Sequence, residues 1–158
     1  MKTLSSVIGA AILTAAFGSN AFASSPDVYV VNFRNTSDTN SQQLDAQLAS
    51  AMAIAGVNAE EVVIDTSTAA KWEKGAHEAF DRDIVPIFNK WVGLPGFAAV
   101  VDANSKRVIG CVNAGSSASQ VANSIRELSA RASGSASLSR ASTGTTRCPA
   151  AHNVDPGL

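Results

Sequence analysis

Residues Lys90–Leu128 read KWVGLPGFAAVVDANSKRVIGCVNAGSSASQVANSIREL. In order, this stretch holds a helix end, a Gly-Leu-Pro-Gly turn at 93–96, an apolar strand Phe97–Asp102 and a polar turn at 103–105. A second strand Arg107–Asn113, a glycine and a helix follow. Two apolar runs separated by a short polar turn predict an antiparallel hairpin. Gly110 lies inside the second run, where glycine marks a bulge or a close backbone approach. Ser116 or Ser117 can cap the closing helix, which is expected to reach about Arg131 with Val121, Ile125 and Leu128 on its buried side.

Upstream, Asp27–Phe33 (DVYVVNF) is dense in β-branched and aromatic residues and reads as a buried strand. Ser37, Asp38 and Ser41 are candidate N-caps for a helix running to Ala55. Leu44, Leu48, Ala51, Met52 and Ala55 fall on one face of that helix, and Gly56 stops it. Glu61–Asp65 is a second strand, so the first half is a βαβ unit of parallel strands. The pattern from Thr66 to Trp91 is one long amphipathic helix, with Ser67 or Thr68 as its cap. Trp72, Phe80, Phe88 and Trp91 all read as core on its apolar face. Pro86 inside the pattern removes a donor and crowds the preceding turn, which predicts a kink or break near Ile84–Pro86.

The flanks are different material. Met1-Lys2, the apolar run Val7–Phe17 and Ala21-Phe22-Ala23 have the layout of a secretory signal peptide over residues 1–23. A folded domain is expected over 24–131. Residues 132–158 form a flexible tail that begins with a run of Ala, Ser, Gly and Thr. The formal net charge is −1, without a clustered basic surface, which argues against nucleic acid as a partner. No segment after the leader is long and apolar enough to insert in a membrane. These features predict a periplasmic or secreted protein. In that setting an even cysteine count implies pairing, so Cys111 and Cys148 are expected to form a disulfide that returns the tail to the hairpin.

The order β-α-β-α-β-β-α, with Pro95 just ahead of the third strand, resembles the thioredoxin fold. The resemblance implies an α/β domain with a four-stranded mixed sheet. It also implies a cis-proline at Pro95, and it matches Gly110 and Gly115 to glycines such domains carry in and after the last strand. The run Trp91–Asp102 followed by Arg107–Gly110 is similar to exported thioredoxin-like proteins of integrating conjugative elements. Here Gly93-Leu94 stands where those proteins have Leu-Gly. The family's Cys-x-x-Cys belongs between the first strand and its helix. The corresponding stretch, Arg34–Thr39, has no cysteine, so dithiol exchange at that position is excluded.

Two regions are candidate sites. Asn35, Thr36, Ser37 and Asp38 are expected to face Leu94, Pro95 and Gly96 across a peptide-binding groove. There a helix N-terminus offers N–H groups to an anion or carboxylate, and the proline's neighbours offer an edge to an extended chain. Cys111 and Cys148 are either a structural bridge or a redox pair. His77, flanked by Glu73 and Asp81, is either a partly exposed ion-pairing residue or half of a metal site. No catalytic residue, resident metal or cofactor is assigned. The leading expectation is a non-enzymatic domain that binds a protein or peptide of the cell envelope, in conjugation or secretion. The alternative is a redox or other enzyme built on the two cysteines or on the scaffold.

Overall fold

A computed structural model describes residues 25–134 and 147–151; the proposed signal peptide and most of the tail lie outside the described residues. Eight elements follow one another: β1 Val28–Arg34, α1 Thr39–Ala55, β2 Ala59–Asp65, α2 Ala69–Asp81, α3 Val85–Trp91, β3 Phe97–Asp102, β4 Val108–Asn113 and α4 Ala118–Ala132. The four strands form one mixed sheet in the order β2-β1-β3-β4. β1 runs parallel to β2 and antiparallel to β3, and β4 runs antiparallel to β3. This is an α/β fold with helices on both faces of the sheet.

The central strand explains the two layers. β1 is buried along nearly its whole length, as a strand covered on both faces must be. Tyr29, Val31 and Phe33 point to one face, where they meet Ala79, Ile84, Ile87, Phe88 and Trp91 of the α2–α3 region. Val28 and Val30 point to the other, where Leu44, Leu48, Val121, Ile125 and Leu128 of α1 and α4 cover them.

The local punctuation has physical causes. Asp38 caps α1, Thr68 caps α2, and Ser117 closes a reciprocal capping box with Gln120 at the start of α4. Gly56 ends α1 in the left-handed region, at φ 61°. The long helical pattern is broken outright into α2 and α3. Pro86 falls in the first turn of α3, where a missing N–H costs nothing, and Asp83 turns the chain with φ 56°. At Gly110 both sequence expectations apply. The β3–β4 register slips between Val100 and Val101, and a Cβ on Gly110 would stand 2.8 Å from Leu128 Cδ1.

Two aromatic residues depart from the expected core. Trp72 is 46% exposed and Phe80 is 74% exposed, although Phe33, Phe88, Trp91 and Phe97 are buried. The reason is the small-residue contact of α2. Its buried positions are Gly75 and Ala79, and Gly75 approaches the backbone of Ile64 so closely that a Cβ would lie 3.4 Å from its Cα. A helix seated that low over an outer strand has little sheet left to cover its larger residues. Trp72 keeps an edge-on ring contact with Phe88 at 5.7 Å.

Cys111 and Cys148 are joined by a disulfide, with their Cα atoms 5.1 Å apart. Cys111 points to the α2–α3 face, and Cys148 packs against the same cluster. The segment 147–151 therefore lies on the face opposite α4, the helix that precedes it. It also satisfies a buried donor, because Trp91 Nε1 donates to the Pro149 carbonyl at 3.1 Å. Closing a 37-residue separation stabilises a fold by roughly 3–4 kcal/mol in the chain-entropy account. Cys148→Ser should lower unfolding free energy by about that amount in a urea titration. It should also shift Trp91 fluorescence to the red; an unchanged midpoint and spectrum would contradict the tethering role.

Candidate functional site

The loop between β1 and α1 is held by its own polar side chains. Asn35 Oδ1 accepts from the Ser37 amide at 3.0 Å and from the Ser37 hydroxyl at 2.6 Å. The Asp38 amide donates to the Asn35 carbonyl at 3.0 Å. Asp38 Oδ2 accepts from the Ser41 amide at 2.7 Å and its hydroxyl at 2.9 Å, which is the capping interaction that starts α1. Ser41 is fully buried, and its Oγ accepts from the Asn35 amide at 3.1 Å. The Asp38 carboxylate thus occupies the place an anion would take at this helix end. A neutral or hydrogen-bonding group suits the loop better than a second negative charge.

A second tie reaches the loop from the turn after β2. The Thr36 amide donates to Ser67 Oγ at 2.8 Å, and the Thr36 carbonyl accepts from Gln42 Nε2 at 2.8 Å. Ser67 in turn donates to Asp65 Oδ1 through its amide at 2.9 Å and through its hydroxyl. Asp65 is mostly buried and also meets Lys71 at 3.0 Å and Arg34 at 3.5 Å.

The turn Leu94-Pro95-Gly96 comes to the same end of the sheet. The Gly96 amide donates to the Phe33 carbonyl at 2.9 Å, which extends the β1–β3 ladder past its last paired residue. Gly96 has φ 89°, and a Cβ there would stand 2.9 Å from Asn40 Cβ and 3.2 Å from Asp38 Oδ2. Only a glycine lets the turn sit this close to α1. Leu94 is half-buried against the aromatic cluster, and Pro95 is exposed. No cis peptide bond occurs among the described residues, so the Leu94–Pro95 bond is trans, unlike the isomer the resemblance implies. Beneath the turn, Phe33 stacks on Phe97 at 5.1 Å, and Trp91 meets both edge-on at 6.0 and 5.6 Å.

The structure thus brings Asp38 and Gly96 to one place, with Asn35, Thr36 and Ser37 preceding in the same loop. It adds residues that the sequence reading missed. A shallow concavity of about 240 Å³ is lined by Asn40, Gly96, Asn113, Ala114 and Gly115. The signal for the last three was hairpin register. Phe97 pairs with Asn113, so whatever follows Asn113 must lie beside whatever precedes Phe97. The walls are polar but carry no charged side chain. Cys111, only 1% exposed and bonded to Cys148, presents no thiol here. His77, Glu73 and Asp81 are all exposed on α2, and no group of three or more metal-ligating side chains gathers among the described residues.

Asp65 gives the loop a pH dependence. Burial pushes its carboxyl up, but the Ser67 hydroxyl, the Ser67 amide and Lys71 together outweigh burial and hold it below the usual 3.8. A carboxylate depressed in the folded state stabilises the fold above its unfolded value and loses that contribution as pH falls through the folded value. Melting temperature should therefore drop steeply below about pH 4, and Asp65→Asn should flatten that drop while lowering the neutral-pH value. Parallel wild-type and variant curves across pH 2–6 would contradict the role given to Asp65. Gly96→Ala tests the close approach. It should destabilise by about 1–3 kcal/mol in chemical denaturation, and a neutral effect would show that the turn does not depend on contact with α1.

Comparison with known protein families, curated proteins and solved structures found no match.

Proposed function

We propose that this chain is an exported, thioredoxin-like binding domain that holds an extended segment of a cell-envelope protein beside Pro95 and carries out no thiol exchange there. The observation that carries this reading is the joining of the Asn35–Asp38 loop to the Leu94–Gly96 turn through glycine 96. The loop and the turn that carries exposed Pro95 then meet at the end of the sheet, over a buried aromatic floor. The strand order and the mixed pairing agree with the thioredoxin-like arrangement that the sequence resembles. The polar, uncharged concavity next to Gly96 suits backbone amides and small polar groups. A conjugation or secretion apparatus is the setting to which the resemblance to exported proteins of integrating conjugative elements points.

The redox alternative has less support. The two cysteines are already bonded to each other, and the Cys111 side of the bridge is buried, which restricts attack by an incoming thiolate. Photo-crosslinkers placed at Ser37 and at Pro95 should capture the same envelope protein, while one at exposed Asn89 should not. Pro95→Ala should then weaken binding of the captured protein by about tenfold, or 1.4 kcal/mol, with little change in melting temperature. Equal capture from all three positions, or full affinity in Pro95→Ala, would overturn the proposal.

A further inference from the structure

A different part of the molecule offers a second docking edge. β2 is an outer strand, paired on one side only among the described residues. Its register with β1 pairs Arg34 with Asp65, and the Thr66 amide donates to the Arg34 carbonyl at 3.0 Å. In a parallel ladder this directs the backbone groups of Glu60, Val62 and Ile64 toward β1. Those of Glu61, Val63 and Asp65 therefore point away from the sheet, two residues apart, as a template for another strand.

That edge is one wall of the larger concavity, about 390 Å³. Glu61, Val63 and Asp65 line it from the strand, and Lys71, Lys74, Glu78 and Arg82 line it from α2 and the turn after it. The low seating of α2 through Gly75 creates this arrangement, since the helix rests on Ile64 and its flank overhangs the open edge. Val63, 38% exposed, is an apolar residue on the strand between Glu61 and Asp65. Most charges in the groove are committed. Lys71 pairs with Asp65, Arg82 pairs with Glu78 and with Glu60, and Glu61 accepts from Asn32 at 3.0 Å. Lys74 forms no ion pair among the described residues and is exposed beside Val63 in the same groove.

We propose that this groove takes an extended segment of a partner protein as an added β-strand, with an apolar side chain on Val63 and an acidic side chain on Lys74. Main-chain bonds to the outward groups of Glu61, Val63 and Asp65 supply affinity, and the two side-chain contacts supply selectivity. A second copy of this chain fits poorly. Antiparallel pairing of two β2 edges about Val63 sets Glu61 opposite Asp65 of the other copy at both ends, and directly opposed like charges destabilise a ladder. The site does not depend on the groove beside Pro95.

A random-heptapeptide display library, selected on the intact protein and counter-selected on Val63→Pro, tests the proposal. Proline at 63 removes an outward N–H while leaving the bonds to β1, and outer strands accept it; a melting curve checks that the variant folds. Enriched peptides should carry Asp or Glu and should bind Val63→Pro at least about tenfold more weakly. Lys74→Glu should turn the preference from acidic to basic peptides, and Pro95→Ala should leave binding unchanged. If Val63→Pro fails to fold, N-methylation of the peptide replaces it. Methylating one alternate set of peptide amides should abolish binding, and methylating the other set should not. The proposal is overturned if no peptide is enriched, if Val63→Pro binds as well as the parent, if both methylated sets bind alike, or if Lys74→Glu leaves the preference intact.

Discussion

The hydrogen bond from the Gly96 amide to the Phe33 carbonyl is the contact on which the candidate site depends. It carries the β1–β3 ladder one step beyond Phe97 and so draws the Leu94–Gly96 turn against the start of α1. A side chain at residue 96 would meet Asn40 and Asp38, so the closeness of the two segments and the identity of residue 96 are one constraint. The aromatic triad of Phe33, Trp91 and Phe97 supports the arrangement from below. The tail closes that support, because the Pro149 carbonyl receives the one donor that Trp91 would otherwise bury unpaired.

Local chemistry was legible wherever one strong rule acted. The apolar run Phe97–Asp102 is a strand between the same residues that its pattern marks, and Pro86 separates two helices as its missing N–H requires. Gly110 was readable as a bulge or a close approach but not as both, since the contact with Leu128 depends on how α4 crosses the hairpin. Trp72 and Phe80 were misread because helical periodicity reports a face and not the depth at which that face is buried. Depth is decided by Gly75, whose effect exists only once Ile64 lies beneath it. Asn113, Ala114 and Gly115 escaped for a related reason, since their place beside Gly96 follows from register across two strands.

The polar groups inside the fold explain the balance between rigidity and openness. Asn32 is buried in the middle of an apolar strand, and its amide bridges Asp45 at 2.8 Å and Glu61 at 3.0 Å. Arg34 meets Asp45 at 3.0 Å and reaches toward Asp65. Where Asp45 of α1 reaches over them, then, β1 and β2 exchange apolar cover for a charged network, and the Asp65 end of that network fixes Thr36 through Ser67. The same network leaves the outer edge of β2 without an apolar lid. One chain of contacts therefore stiffens the loop at the candidate groove and keeps a second edge accessible.

The central claim is that the groove beside Pro95 binds a polypeptide segment without thiol chemistry. Amide chemical-shift mapping of the intact, disulfide-bonded protein during titration with the protein captured by the Ser37 and Pro95 crosslinkers tests it most directly. The account predicts shifts concentrated at residues 35–40, 94–96 and 113–115, with the Cys111–Cys148 bridge intact at saturation. Shifts centred on the bridge, or release of free thiol as the complex forms, would contradict it.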